Sequence, residues 1–172
     1  MSEYSGANLT DVLKGVGLDS RIGSHYFRPS PSWGGSCFPK DLVEVNNFYN
    51  QDELNLPLIS NIIGSNNEHL QWTISQLLSL KKNNSLKKIV LVGAAFKEDT
   101  DDLRNSPTLE IYNVLKEMQE EVMILDTEIH VPNYQSVKRL DEVPSNSLLS
   151  IMYPLKEAVS YTHLRAHETR YH

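Results

Sequence analysis

The sequence predicts an α/β protein in which a helical segment precedes a parallel β-sheet. Apolar residues first recur with the helical period, up to about residue 80. After residue 88 they form short continuous runs instead, which are typical of strands covered on both faces. A strand, a helix and a second strand in this order favour parallel, Rossmann-like pairing.

Three helices are predicted before the sheet. The first covers residues 8–17 and is stopped by glycine. The second runs from Pro39 to about Gln51, because proline is favoured at the start of a helix. The third extends from residue 57 to about residue 80. The apolar faces consist of Leu42, Val45 and Tyr49 in the second helix, and of Ile59, Ile62, Ile63, Leu70, Ile74, Leu77 and Leu78 in the third.

The second half of the chain alternates strands and a helix. Strands are predicted at residues 89–92, 122–125 and 148–152. Between the first two, Ser106 and Pro107 open a helix whose predicted apolar face consists of Leu109, Tyr112, Leu115 and Met118. The polar segment 81–88 predicts a linker, so we expect a helical domain at 1–80 and a sheet domain at 89–158.

Composition narrows the possible partners and compartments. The 172 residues carry a formal net charge of −6, which argues against nucleic acid or an anionic membrane as the main partner. No apolar run approaches the roughly 18 residues of a membrane span. The single cysteine excludes an internal disulfide and favours a reducing compartment, the cytoplasm.

The last segment, residues 159–172, shows no apolar period. His163 and His167 have the spacing of a metal pair on a helix, but the segment is better explained as a translated transposon-type sequencing adaptor. We therefore expect it to lie outside the fold, with the natural protein continuing beyond Ala158, and we predict no metal site.

The most informative segment is GGSCFPKD, residues 34–41. Gly34 and the glycine after it let the backbone approach a ligand closely, and the predicted helix starts just after Cys37. A thiol there lies at the positive end of the helix dipole, which favours the nucleophilic thiolate, and Lys40 acts in the same direction. Asp41 lies one turn further and could hold a water. From spacing alone, Cys37 is either this nucleophile or a small packed residue.

These residues resemble the catalytic signature of the UDP-glucose/GDP-mannose dehydrogenase family. The similarity includes GLDSRIG at residues 17–23 and resumes at VGAAFKEDTDDLRNSP, residues 92–107. Asn67 also falls where such proteins carry an asparagine. Ser36 and Lys40 favour the branch that acts on UDP-glucose or GDP-mannose over the branch that acts on N-acetylated sugars.

The resemblance implies a helical central domain that dimerises and a truncated Rossmann-like domain that binds the nucleotide sugar. It implies oxidation of the sugar C6 alcohol to a carboxylate by two NAD in succession, through a thiohemiacetal and a thioester. Cys37 would be the nucleophile and Asp41 would assist hydrolysis. We expect a homodimer for the full-length parent, and neither nucleic acid nor a membrane as a partner.

The resemblance also assigns binding residues. NAD would contact Cys37, Phe38, Pro39 and Lys40, together with Arg104. Arg21 would reach the substrate site of the neighbouring subunit. The remaining residues would contact the nucleotide sugar: Tyr26, Arg28, Pro29, Ser30, Pro31, Ser32, Trp33, Gly34, Phe96 and Lys97.

The chain departs from the family pattern in the motif that holds NAD. Its sequence contains no G-x-G-x-x-G, and GAAF at residues 93–96 lacks the glycines that admit a pyrophosphate. We therefore expect a fragment, inactive by itself, of a member that oxidises UDP-glucose.

Two alternatives stay open. HYFRP at residues 25–29 leans towards GDP-mannose, whereas GLDSRIG and Phe38 lean towards UDP-glucose. A non-catalytic module that binds a nucleotide sugar or dimerises is the other alternative.

Overall fold

The computed structural model describes residues 5–25, 27, 29–51 and 56–153. These residues fall into two compact units that divide after Ser30. The predicted adaptor segment, 159–172, lies outside the described residues together with His163 and His167, so its interpretation stays a prediction.

The first unit contains helix α1, Leu9–Gly17. The Oδ1 atom of Asn8 accepts the N–H groups of Thr10 and Asp11 at 2.9 and 3.3 Å, which satisfies donors that a helix start leaves unpaired. The helix ends at the predicted glycine, so this helix prediction is confirmed. None of its residues is buried.

The second unit contains a parallel sheet, with the order β3-β2-β1-β4 among the described residues. Strand β1 lies between β2 and β4, so that Val90 is opposite Met123 on one side and Leu149 on the other. The parallel sheet and its three predicted strands are confirmed. Strand β3 gives no sequence signal, because its two half-buried residues form neither an apolar run nor an alternation. The strand bounds are Lys88–Val92 for β1, Val122–Leu125 for β2, Ser136–Val137 for β3 and Ser147–Ile151 for β4.

Three helices accompany the sheet: α2 (Cys37–Gln51), α3 (Pro57–Asn83) and α4 (Pro107–Glu117). Helices α3 and α4 pack on one face of the sheet and share its main core. The predicted stripe of α3 is buried only in its second half, since Ile59, Ile62 and Ile63 are half-buried. The main core includes Leu70, Ile74 and Leu77 of α3, Ile111, Tyr112 and Leu115 of α4, and Ile89, Leu91, Val122, Ile124 and Leu148 of the strands.

The opposite sheet face has a smaller core. Val90 and Met123 belong to it, and they pack against Leu140 and Val143 from the segment after β3. This segment includes a short 3₁₀ helix, Leu140–Glu142. Both faces of β1 and β2 are therefore covered, which explains why their sequences are continuously apolar.

Several predicted boundaries and faces are wrong. Helix α2 begins at Cys37 and not at Pro39, so the thiol belongs to the first helical turn. Helix α3 extends to Asn83, because Lys81 and Lys82 fall in its last turn, where cations interact favourably with the helix dipole. With β1 starting at Lys88, only residues 84–87 of the predicted 81–88 linker separate the two elements.

Two predicted apolar positions are exposed. Val45 of α2 is 38% exposed, whereas Leu42 of the same predicted face is buried. Met118 is 53% exposed, because α4 ends one residue earlier and Met118 is its C-cap. Thr108 and Ile111 complete the buried face of α4 in its place.

None of the described helices combines the length and the apolar character needed to cross a bilayer.

The contrast between Leu115 and Met118 gives a test of this packing. Leu115→Ala should lower the free energy of unfolding by about 2–5 kcal/mol, because it leaves a cavity in the main core. Met118→Ala, at the exposed C-cap of the same helix, should change it by less than about 0.5 kcal/mol. Urea unfolding followed by circular dichroism measures both. Equal effects of the two substitutions would contradict this arrangement.

Candidate active site at the cysteine loop

The thiol of Cys37 is exposed at the start of helix α2. Lys40 and Asp41 follow one helical turn later and lie on the same face of the helix as Cys37. The Nζ atom of Lys40 lies 3.4 Å from Oδ1 of Asp41, and both side chains are largely exposed. The first turn of α2 therefore presents a thiol, a cation and a carboxylate to the same side.

The loop before Cys37 packs directly on the segment that precedes helix α4. The N–H of Gly35 donates to the Arg104 carbonyl at 3.2 Å, and Asn105 Nδ2 donates to the Gly35 carbonyl at 2.8 Å. A Cβ atom at Gly34 would overlap the carbonyl oxygen of Asn105. Lack of space therefore explains the glycine at position 34, because only glycine permits this contact between two backbones.

The ring of Phe96 packs against the loop before Cys37 at Gly35. Gly35 has φ +88°, a left-handed conformation that favours glycine, and a Cβ there would lie 3.0–3.3 Å from atoms of the Phe96 ring. The Nζ atom of Lys97 lies 5.3 Å from the centroid of the Phe96 ring, within the range of a cation–π interaction. Phe96, to which the family resemblance assigns a contact with the nucleotide sugar together with Lys97, therefore lies against the cysteine loop.

Arg104 is held in a fixed orientation by Asp102. Its Nε and Nη2 atoms donate to the two carboxylate oxygens of Asp102 at 2.9 and 2.7 Å. These hydrogen bonds lower the pKa of Asp102 to about 2 and raise the pKa of Arg104. Cys37 is a further, smaller contributor to the raised pKa of Arg104.

Trp33 anchors the start of the loop to helix α3. The backbone N–H of Trp33 donates to Oδ1 of Asn66 at 2.9 Å, and Nδ2 of Asn66 donates to the backbone carbonyl of Trp33 at 3.4 Å. Its ring packs edge-on against Phe38, with the centroids 4.9 Å apart. Sequence reasoning singles out Asn67, which is exposed, and misses Asn66. No local pattern distinguishes the two asparagines, because the contact depends on the loop that α3 meets.

The turn after β1 is closed by side chains from other elements. The N–H of Ala94 donates to Asp126 Oδ2 at 2.8 Å, and the N–H of Ala95 donates to the Tyr153 hydroxyl at 3.0 Å. The hydroxyls of Ser106 and Thr108 donate to the carbonyls of Ala94 and Gly93 at 2.6 and 2.7 Å. The N–H groups of Ala94 and Ala95 and the carbonyls of Gly93 and Ala94 are therefore paired within the protein.

Two surfaces differ in how well they suit NAD. The turn at 93–95 does not fit a pyrophosphate, because Asp126 and Tyr153 already accept its N–H groups. The first turn of α2 and Arg104 do fit a contact with NAD, because an exposed guanidinium with donors left over from Asp102 can bind an anion. These residues would hold only part of the cofactor.

The structure brings together some of the predicted site residues but not all. The residues that lie in or around the cysteine loop are Trp33, Gly34, Cys37, Phe38, Phe96, Lys97 and Arg104. Pro31 is half-buried and Ser32 is buried just before Trp33.

The other predicted site residues lie elsewhere. Arg21, Pro29 and Ser30 belong to the first unit, where Arg21 pairs with Asp19 at 2.6 Å. Tyr26 and Arg28 lie outside the described residues. Among the described residues, no three His, Cys, Asp or Glu side chains cluster to hold a metal ion.

The close approach at Gly34 predicts a large effect of one methyl group. Gly34→Ala should lower the free energy of unfolding by about 1–3 kcal/mol, because the Asn105 backbone cannot yield as a flexible side chain can. Gly64→Ala is the matched control, since a Cβ there meets nothing within 4 Å. It should stabilise helix α3 by about 0.5–1 kcal/mol. Urea unfolding that ranks the variants in the opposite order would contradict the packing.

Tyr153 predicts a pH dependence at high pH. Burial raises its pKa to about 12, with the charge of Asp126 adding to the shift and the Ala95 N–H opposing it. Because the unfolded phenol titrates near 10, Tyr153 stabilises the fold fully below pH 10 and loses this effect as the pH rises through 12. The difference in unfolding free energy between wild type and Tyr153→Phe should therefore shrink between these values. A difference that stays constant over this range would contradict the assignment.

Two sequence models of one family match this chain. The central-domain model of the UDP-glucose/GDP-mannose dehydrogenase family matches residues 1–68. The UDP binding domain model of the same family matches residues 90–165, which extends into the predicted adaptor segment. Together the two matches span most of the chain, in the order that the two motifs predict.

Curated relatives and a solved structure agree with these matches. The UDP-glucose 6-dehydrogenase of Rickettsia felis is 35% identical over 67% of this chain and 26% of its own length. That of Drosophila melanogaster is 34% identical over 91% of this chain and 33% of its own length. The chain thus spans about a quarter to a third of these relatives.

A UDP-glucose dehydrogenase from the archaeon Pyrobaculum islandicum shares the fold. It superposes with a TM-score of 0.70 at 24% sequence identity, over 90% of this chain and 38% of its own. This likeness confirms the Rossmann-like fold. With both family matches in order along it, the chain belongs to the UDP-glucose/GDP-mannose dehydrogenase family.

Proposed function

We propose that this chain carries the thiol and the nucleotide-sugar-binding surface of an NAD-dependent UDP-glucose 6-dehydrogenase. The observation that supports this most directly is the packing of the cysteine loop on residues 96–105, joined by the hydrogen bonds of Gly35 with Arg104 and Asn105. A reaction that forms a bond between a substrate carbon and Cys37 needs the thiol and the substrate surface in one place.

The proposed chemistry centres on Cys37. In the first oxidation, the C6 alcohol loses a hydride from its carbon and a proton from its oxygen, which gives an aldehyde. The Cys37 thiolate then donates an electron pair to the aldehyde carbon, and the carbonyl oxygen takes up a proton to give a thiohemiacetal. Loss of a hydride from C6 and of the proton from its hydroxyl then gives a thioester. Water attacks this thioester, the sulfur leaves as thiolate, and a carboxylate is released. NAD, when bound, accepts the hydride in each of the two oxidations.

Asp41 is proposed to assist the hydrolysis. It lies on the same helical face as Cys37, one turn away, and its exposed carboxylate can accept a proton from an attacking water. Lys40 lies beside it, with its Nζ atom 3.4 Å from the carboxylate.

Substrate contacts are proposed for the surface around Phe96. Lys97 presents an exposed cation beside the cysteine loop, which suits the diphosphate of a nucleotide sugar. The residues from Arg28 to Gly34, with Tyr26, are proposed to wrap the sugar phosphate. Arg21 is proposed to complete the site of a partner in a homodimer.

Phe38, Pro39, Lys40 and Arg104 are proposed to contact NAD in the parent enzyme. We propose a cytoplasmic location, because a reducing compartment keeps a catalytic thiol such as Cys37 unoxidised. Because the chain spans only part of its relatives' length, we expect no NADH production from this polypeptide alone.

A GDP-mannose 6-dehydrogenase is the second candidate. The HYFRP sequence at residues 25–29 favours it, whereas GLDSRIG at residues 17–23 and Phe38 favour UDP-glucose. A module that only binds the nucleotide sugar or dimerises is the non-catalytic alternative.

Calorimetric titration of the 172-residue chain with UDP-glucose and with GDP-mannose tests these proposals. We expect tighter binding of UDP-glucose and an affinity at least about tenfold lower for Lys97→Ala, because a charged hydrogen bond to a phosphate is lost. Lys116→Ala removes an exposed lysine from α4 and serves as the matched control, with no expected change.

Each outcome separates the candidates. Tighter binding of GDP-mannose would favour the second candidate. The absence of heat with either sugar, or equal affinity of wild type and Lys97→Ala, would contradict the proposed site. Detection of NADH after addition of NAD and either sugar would contradict the expected inactivity of the chain alone.

A further inference from the structure

The hydroxyl of Tyr153 occupies a defined place in the turn after β1. It accepts the Ala95 N–H at 3.0 Å and donates to Asp126 Oδ2 at 3.4 Å. The same Asp126 oxygen accepts the Ala94 N–H at 2.8 Å, and the other oxygen accepts the N–H groups of Glu128 and Ile129. Because the carboxylate is fixed by these bonds, the orientation of the hydroxyl is fixed as well.

The ring of Tyr153 also shapes the turn. A Cβ atom at Gly93 would lie 2.7–3.0 Å from ring atoms of Tyr153, and Gly93 has φ +97°. The ring therefore lies directly against the backbone where β1 ends. Tyrosine contributes two separable effects here: the ring fills the space over Gly93, and the hydroxyl pairs with Ala95.

The residue after Ala95 is Phe96, which is fixed from both directions. Its own N–H donates to the Asp102 carbonyl at 3.2 Å, while the preceding peptide is held by Tyr153. The Phe96 ring in turn packs against Gly35, two residues before Cys37. A continuous set of contacts thus leads from the end of β4 to the cysteine loop.

We propose that Tyr153 is a positioning residue, whose hydroxyl holds Ala95 and thereby sets the Phe96 ring and Lys97 against the cysteine loop. This inference rests on the proposed function, in that Phe96 and Lys97 are taken to contact a nucleotide sugar. Tyr153 itself acts through the turn, where its hydroxyl accepts the Ala95 N–H and pairs with Asp126.

Tyr153→Phe tests the hydroxyl alone, because it keeps the ring over Gly93. The matched control is Tyr134→Phe, which removes a hydroxyl that accepts a hydrogen bond from the exposed Asn113 of α4 and none from the turn. Two properties are measured for each variant at a temperature well below its unfolding midpoint. The first is the affinity for UDP by calorimetry, and the second is the NMR shift of the Gly35 Hα protons.

The Gly35 shift reports on position without any ligand. One of its Hα protons points towards the Phe96 ring, whose ring current moves the resonance away from its random-coil value. We expect Tyr153→Phe to move this resonance towards the random-coil value and to weaken UDP binding at least fivefold. Tyr134→Phe should leave both properties unchanged.

A purely structural role of Tyr153 would lower the unfolding midpoint and leave both readouts of the folded protein unchanged, which would overturn the proposal. An altered Gly35 shift with unchanged UDP affinity would overturn the link to the ligand site. If the wild-type chain fails to bind UDP, the proposed function fails, and the Gly35 shift still decides whether Tyr153 positions Phe96.

Discussion

The candidate site depends on one close contact between two backbones, that of Gly34 and Gly35 with Arg104 and Asn105. These segments lie about 70 residues apart in sequence, as the Asn105–Gly35 hydrogen bond shows. The Gly35 N–H bonds the Arg104 carbonyl directly and Gly34 lies against the Asn105 carbonyl, so the distance between the thiol and the surface of Phe96 and Lys97 is set largely by main-chain atoms, which yield less than side chains. Everything proposed for Cys37 requires this contact first.

The closed turn after β1 leaves no free N–H groups at Ala94 and Ala95 for a phosphate to bind. In an open parallel sheet, N–H groups at this point are free to bind a phosphate. Here Asp126 and Tyr153 take those N–H groups, and the glycine φ at 93 accommodates an aromatic ring instead of a pyrophosphate. The exposed cations Lys97 and Arg104 lie further along the loop, so electrostatic attraction for a diphosphate is displaced towards the cysteine.

The sequence predicts elements whose signal is local. Strands β1 and β2 are buried on both faces, which makes their sequences continuously apolar and easy to identify, and Pro107 marks the start of α4. The exact end of a helix is harder to predict: Met118 has the helical period but lies just after the end of α4. Positions that depend on a distant partner are harder still. Asn66 and Tyr153 have no local signal, because their roles come from the loop and turn that the fold brings to them.

Helix α2 contributes little core of its own, and this makes the loop contacts more important. Among its described side chains only Leu42 is buried, while Val43 and Phe48 are 47% and 60% exposed. Its hydrogen bond to α3, from Ser60 Oγ to Asn46 Oδ1 at 3.2 Å, lies on the surface. The start of α2 is therefore held mainly by its loop, through the glycines on one side and Trp33 on the other. A thiol on such a helix keeps its position relative to the sheet only while both of those anchors are in place.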